Sequence, residues 1–357
     1  MIRIGIVGCG HIGMVHAAAL EQLVNGGLVD ARVTATFDAD PTRAAALAVP
    51  HGATPAATLD ALLDAVDVVW VCTWTAAHID TVEAAADRGL PIFCEKPLAP
   101  DLPDSERVAA ALRRVPHQVG LVLAHAPVFR FAADLVASGR YGRVLSTILR
   151  DDQYFPIQGM YGSSWRGDVT KAGGGTFIEH SIHDVALLGG ILGDPVDVSA
   201  RTSSQFGHAG IEDQALVTLG YADGTTATIA SVWHQILSRG SSRRLEIFCE
   251  KAMLWTENDY LGPLHVETET GVEILEAEAP PWIDRFAGLA EYAKPIAQYA
   301  EPSKAFLDSL AADGPDARGW PDVEAALAAH QVVDAAYRSA SHGGTPIPLR
   351  SQEHRAE

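Results

Sequence analysis

The chain has 357 residues, 48% hydrophobic and 20% charged, with 26 Lys and Arg against 45 Asp and Glu for a formal net charge of −19 at pH 7. Composition this ordinary excludes disorder, collagen-like repeats and a small disulfide-stapled module, and the length predicts two packed domains. The acidic balance, with no run of clustered Lys and Arg, argues against a nucleic-acid partner.

The opening Met1-Ile2-Arg3-Ile4-Gly5-Ile6-Val7 reads as a buried strand and not as a secretory signal, which predicts a cytoplasmic address. The uncharged apolar stretch Val68 to Ile79 is shorter than the ~20 residues of a membrane helix, so no membrane partner is expected. Cys9, Cys72, Cys94 and Cys249 lie far apart with no C-x-x-C pair and read as reduced and structural.

Strands are predicted at Arg3 to Val7, Ala31 to Phe37, Asp67 to Thr73, Pro91 to Cys94 and Gln118 to Leu123. Helices are predicted between them at His11 to Leu23, Pro41 to Ala48, Ala76 to Arg88 and Leu102 to Arg114. This alternation specifies an α/β fold, a doubly wound parallel sheet of Rossmann type over residues 1–123. After residue 124 the rhythm changes. A helix at Phe131 to Ser138 precedes strands at Arg143 to Asp152, Val196 to Ser204, Ala215 to Tyr221, Thr225 to Trp233, Arg244 to Phe248, Ala252 to Thr256 and His265 to Thr268, with a hairpin turn at Ala222-Asp223-Gly224. Helices are predicted again at Trp282 to Tyr299 and Pro321 to Ser341, with a surface loop at Ala312 to Pro321. Residues 124–350 therefore read as an α+β domain on a mostly antiparallel open sheet, and 351–357 as a frayed tail.

Three constellations carry chemistry. Gly8-Cys9-Gly10-His11-Ile12-Gly13 is a G-x-G-x-x-G between a predicted strand and a predicted helix, the context in which glycines admit a dinucleotide pyrophosphate. Asp38, at the end of the second predicted strand, fits the acceptor of the adenosine ribose hydroxyl. Its charge predicts NAD in preference to NADP. Cys94-Glu95-Lys96-Pro97 ends the fourth predicted strand at the carboxyl edge of the sheet, and Lys96 can exchange a proton where Arg cannot. In Gly173-Gly174-Gly175-Thr176-Phe177-Ile178-Glu179-His180-Ser181-Ile182-His183-Asp184, a helix from Thr176 would put Glu179 and His183 on one face. Two readings stay open there: Glu179 orienting a proton-accepting His183, or His180 and His183 with a carboxylate around a metal, although the spacing is not that of a zinc protease. No metal is expected.

These constellations, in this order, resemble the Gfo/Idh/MocA oxidoreductases. The resemblance spans nearly the whole chain, through Val71-Cys72-Thr73 and His78, Glu95-Lys96-Pro97, Ser164-Trp165-Arg166 and the triple glycine before Glu179 and His183, to Ala335-Ala336-Tyr337-Arg338-Ser339. It implies a Rossmann domain, a second domain whose open sheet forms a homodimer or homotetramer, and hydride transfer at a sugar or polyol carbon. Lys96 matches the family's catalytic lysine, Glu95 its cofactor-adjacent acid and His183 its catalytic histidine. The expected cofactor contacts are Gly8, Gly10, His11, Ile12, Gly13, Asp38, Thr73, His78, Glu95, Lys96, Trp165 and Arg166. The expected substrate contacts are Lys96, Tyr154, Tyr161, Arg166, Glu179, His183 and His234. The chain departs from the pattern at Glu179, where many members have Asp, at Trp74, where many have Pro, and at Ala186, where an acid commonly follows the histidine. The expected activity is an NAD-dependent dehydrogenase of a sugar, inositol or related polyol. The alternatives are a non-redox enzyme using bound NAD for transient oxidation and an NAD-binding sensor without turnover.

Overall fold

Branched and aromatic residues with no charge among them cannot stay in water as an isolated strand, and the run Val68–Val71 is wholly buried at the centre of a parallel sheet. The computed structural model describes residues 1–285, 293–317 and 319–349, which divide into two compact units. The first comprises residues 1–122 and 280–327, the second 123–279 and 328 onward.

In the first unit the elements run β1 (Ile2–Val7), α1 (His11–Asn25), β2 (Ala31–Phe37), α2 (Pro41–His51), β3 (Thr54–Pro55), α3 (Leu59–Leu63), β4 (Val68–Val71), α4 (His78–Asp87), β5 (Ile92–Cys94), α5 (Leu102–Leu112) and β6 (His117–Val119). The strand order is β3-β2-β1-β4-β5-β6 with every neighbouring pair parallel. This is the doubly wound Rossmann arrangement. Local chemistry sets the helix ends: Asp40 caps α2 by accepting from Thr42 N–H, Pro41 opens it, and Gly52 closes it in the left-handed region at φ 63°.

Two short elements, β3 and α3, were not anticipated, and the strand predicted over Gln118–Leu123 ends at Val119 before a tight turn at Val122–His125. Of the predicted helix Trp282–Tyr299, residues 286–292 lie outside the described residues, and the helix observed runs Ala293–Asp313. It returns to the first unit and not to the second, because Phe306 and Leu307 enter the core formed by Ile4, Ile6, Trp70 and Phe93. Trp70 and Phe93 stack at 5.3 Å, and Phe306 tilts against both. The helix predicted from Pro321 starts at Val323, where Asp322 accepts from Glu324 and Ala325 N–H. The tail predicted to fray from Ser351 lies outside the described residues.

The second unit contains α6 (Pro127–Ala137), β7 (Val144–Tyr154), α7 (Val169–Ala172), α8 (Thr176–Glu179), α9 (Ile182–Leu192), β8 (Asp197–Ser203), β9 (Gln214–Gly220), β10 (Thr226–His234), β11 (Ser242–Cys249), β12 (Met253–Thr256), β13 (Pro263–Thr268), β14 (Gly271–Glu276) and β15 (Ile347–Pro348). They form one nine-stranded sheet, ordered β14-β13-β12-β11-β7-β10-β9-β8-β15, antiparallel except where β7 meets β10. Strict alternation along β10 and β11 gives the sheet one buried and one more open face. Among the described residues no helix is long and apolar enough to cross a membrane.

Candidate active site

In the first unit Val7 pairs with Val71, and Val71 with Cys94, so Gly8, Cys72 and Glu95 leave β1, β4 and β5 at one level of the carboxyl edge. Gly8 has φ +93°, and a Cβ there would lie 2.5 Å from the Cys72 carbonyl. A Cβ on Gly13 would overlap the Gly8 carbonyl oxygen, whereas one on Gly10 would project into open space. Two glycines are thus required by packing and the third keeps a cradle clear. Gly10 is the N-cap of the 15-residue α1, so the glycine loop delivers the chain into a helix N-terminus, the end of a helix that suits an anion. These features fit a dinucleotide pyrophosphate.

Asp38 stands beside the loop: its Oδ2 accepts from Cys9 N–H at 2.7 Å and its Oδ1 from Asp40 N–H at 2.9 Å. Burial, and then the Asp38 charge, push the Cys9 thiol up to about 12, so it is no nucleophile at neutral pH. His78 opens α4 with its Nε2 3.2 Å from the Thr73 carbonyl. Glu95 is 4% exposed and meets His16 Nε2 at 2.7 Å, while the half-buried Lys96 directs its N–H to Glu95 Oε2 at 3.3 Å. Sequence reading missed His16, whose only signal was a histidine on the buried face of the helix behind the glycine loop.

In the second unit the segment from Thr176 to His183 is not one helix, which corrects the expectation that Glu179 and His183 share a helical face. The turn α8 stops at Glu179, His180 departs to φ −120°, ψ −59°, and α9 begins at Ile182. Contacts on both sides of the break explain it. Glu212, 6% exposed, accepts from Gly175 N–H at 2.7 Å and Phe177 N–H at 2.9 Å, and Ser181 Oγ bonds Asp151 and Ser231 at 2.8 and 2.7 Å. A Cβ on Gly175 would overlap the Glu212 carbonyl oxygen, which is why glycine stands there. Tyr337 OH donates to Glu212 at 2.9 Å and accepts from Ile178 N–H at 3.2 Å. Sequence reading missed Glu212 because nothing local ties it to a glycine run 37 residues earlier.

Glu179 is buried and its Oε2 receives Arg166 Nε at 3.0 Å. Arg166 also reaches Ser163 Oγ at 2.9 Å, and its guanidinium lies 4.3 Å over the Trp165 ring. The structure therefore joins Trp165, Arg166 and Glu179 in one constellation. His183 is 8% exposed in the first turn of α9. Tyr154 and Tyr161 pair with ring centroids 5.3 Å apart, and burial, with Tyr154 beside it, raises the Tyr161 phenol. His234, at the end of β10, accepts at Nδ1 from Ile236 N–H, and its Nε2 faces Asp152 at 3.5 Å. Asp152 alternates with Asp151 along β7, so this histidine is tied to the strand end and not to the Asp151 side where Ser181 sits. Among the described residues no group of three His, Cys, Asp or Glu side chains is placed to hold a metal ion.

Comparisons with known proteins agree with this geometry. Residues 2–122 match the model of the oxidoreductase family with an NAD-binding Rossmann fold, and residues 129–255 that of the GFO/IDH/MocA C-terminal domain. The chain is 33% identical to an inositol 2-dehydrogenase of Rhizobium meliloti over 95% of its own length and 96% of the relative's. It is 30% identical to the myo-inositol dehydrogenase Hyg17 of Streptomyces leeuwenhoekii over 97% and 99%. The crystal structure of a putative myo-inositol dehydrogenase from Sinorhizobium meliloti superimposes with a TM-score of 0.77 at 26% identity, covering 98% of this chain and 100% of that one. A glycine cradle clear of side chains at a Rossmann sheet edge, family models over both parts of the chain and full-length relatives lead to one conclusion: the chain belongs to the GFO/IDH/MocA family and is an NAD(P)-dependent oxidoreductase whose first unit is the NAD-binding Rossmann fold.

Proposed function

We propose that the protein is an NAD-dependent dehydrogenase oxidising a secondary alcohol of an inositol or a related sugar or polyol. The observation that carries the reading is the shared sheet edge of the glycine cradle and Glu95-Lys96, set by the register Val7, Val71, Cys94. The choice of inositol rests on the names of the two full-length relatives. A homodimer or homotetramer formed through the open sheet face belongs to the same proposal.

The nicotinamide, when bound, supplies the hydride acceptor. Gly8, Gly10 and Gly13 would admit the pyrophosphate, and Asp38 would meet the adenosine ribose and disfavour a 2′-phosphate, giving NAD preference over NADP. His183 would take the hydroxyl proton, a task suited to an imidazole. Lys96 would polarise the same oxygen and pass a proton on, which a guanidinium cannot do. Glu179, fixed at Oε2 by Arg166, would hold a neighbouring substrate hydroxyl or orient His183.

The test is His183→Asn. It should retain NADH binding while turnover of NAD with myo-inositol, followed by nicotinamide absorbance, falls by about 100-fold or more. Undiminished turnover would remove His183 from the mechanism.

A further inference from the structure

Three strands of the second unit line up a polar row on their buried face. Arg243 of β11 and Ser231 of β10 are the direct cross-strand partners of Asp151 in β7, and all three are buried. The junction between α8 and α9 sits on this row. Asp151 Oδ2 lies 2.8 Å from Ser181 Oγ, 3.0 Å from His180 Nδ1 and 3.3 Å from Arg243 Nη2. Asp184 Oδ1 receives Arg243 Nε at 2.8 Å, and Thr176 Oγ1 lies 2.8 Å from Ser231 Oγ. Residues on both sides of His183 are thereby fastened to the sheet.

Two oxygens of the cluster are left over. Asp151 Oδ1 and Asp184 Oδ2 are buried with no donor among the described residues. Arg243 draws the two carboxyl groups onto one guanidinium, and because two ionised carboxylates offer acceptors only, a bond between them requires one proton. Burial works the same way, because both carboxyl groups are fully withdrawn from water, which disfavours a second ionised acid beside the first. Asp259 reaches the same cation from the segment after β12, its Oδ2 3.4 Å from Arg243 Nη1, and Tyr161 faces both from the loop after β7. Donors converge on Asp151 while Asp184 receives Arg243 alone, which places the proton on Asp184 Oδ2. Burial, and next the Asp151 charge, push the Asp184 carboxyl up to about 7 against the opposing pull of Arg243 and His180.

We propose that Asp184 is a positioning residue for the reaction: as a neutral acid it donates from Oδ2 to Asp151 Oδ1, and this bond with the Arg243 clamp holds the first turn of α9 and so orients His183. The proposal rests on the reading of His183 as the proton acceptor. Asp184 acts through its neighbour and touches neither substrate nor cofactor.

Asp184→Asn is the decisive variant, since the carboxamide can donate to Asp151 and accept from Arg243 with no proton to lose. It should keep kcat with myo-inositol within about threefold of wild type, whereas Asp184→Ala should lower kcat by about 100-fold with NADH affinity and KM nearly unchanged, the scale of a misplaced reacting group. Infrared spectra at neutral pH should show the carbonyl stretch of a protonated carboxyl in the wild type and lose it in Asp184→Asn; this reading stands even if Asp184→Ala does not fold. Absence of that band, or an Asn variant as damaged as the Ala variant, overturns the proposal. Full turnover by His183→Asn instead overturns the reading beneath it, while the infrared band still reports the shared proton.

Discussion

His16 and Glu95, 79 residues apart in sequence, meet inside the first unit with Nε2 2.7 Å from Oε1, the imidazole fully buried and Glu95 4% exposed. The ring stands edge-on to Phe93 and Tyr299, with centroids at 5.1 and 5.6 Å, and its Nδ1 has no hydrogen-bond partner among the described residues. The ring proton therefore serves Glu95, the residue immediately before Lys96. A Cβ on Gly120 would come within 2.6 Å of the same carboxyl oxygen, so the acid is walled in as well as bonded.

From this arrangement His16→Phe should be harmful although the ring contacts survive. It strips a buried carboxyl of its donor, which costs about 2 kcal/mol of stability, and it lets Glu95 drift beside Lys96, so kcat should fall. His16→Gln restores an N–H donor and should recover most of both. Denaturant unfolding and steady-state turnover of the two variants decide the matter: a Phe variant as stable and as active as wild type would show the hydrogen bond to be idle.

The three glycines of the loop separate cofactor binding from folding. Gly10 has φ −76° and ψ −165°, which any residue can adopt, and open space where its Cβ would project. Gly10→Ala should therefore fold with stability within about 0.5 kcal/mol of wild type, yet bind NADH at least about tenfold more weakly, since its methyl group occupies the pyrophosphate cradle. Gly13→Ala should not accumulate as folded protein, because its Cβ overlaps the Gly8 carbonyl oxygen. Thermal melts and NADH fluorescence titrations distinguish the two. Wild-type NADH affinity in Gly10→Ala would place the pyrophosphate elsewhere.

How far the sequence revealed this molecule depended on how local the cause was. Alternation along Thr226–His234 buries every second residue, and the hairpin at Ala222-Asp223-Gly224 was readable because Gly224 must supply φ +89°. Although the Cys72 carbonyl that bars a Cβ at Gly8 comes from the end of β4, the glycine loop was readable from its spacing between a strand and a helix. The break at His180 was not. Helical periodicity runs straight through it, and what stops the helix is Glu212 on one side and Asp151 with Ser231 on the other, residues that meet the segment only after the sheet has formed. The row Arg243, Asp151, Ser231 likewise exists only once strand register is fixed. The sequence pattern predicted a helix only over Trp282–Tyr299, and nothing in it said that the helix would run to Asp313 and carry Phe306 against Trp70.

Glu212 gives stability a pH dependence that can be read through Tyr337. Burial raises the Glu212 carboxyl above its ordinary range, opposed by the N–H groups of Phe177 and Gly175 and by the Tyr337 hydroxyl. An acid raised in the folded state binds protons more tightly there than when unfolded, so its contribution is fully present below the unfolded value of about 4.3 and declines as pH rises toward the folded one. Removing a donor that favours the charged form lifts the folded value further and lengthens that decline. Tyr337→Phe should therefore destabilise at every pH, by about 1–2 kcal/mol for the lost bonds to Glu212 and to Ile178 N–H, and the gap to wild type should widen as pH rises. Melting midpoints of both proteins at about pH 6 and about pH 8 test the sign. A gap that stays constant with pH would mean that the rest of the cage keeps Glu212 charged and that the tyrosine serves the glycine turn through Ile178 alone, and one that narrows would mean that the tyrosine favours the neutral acid.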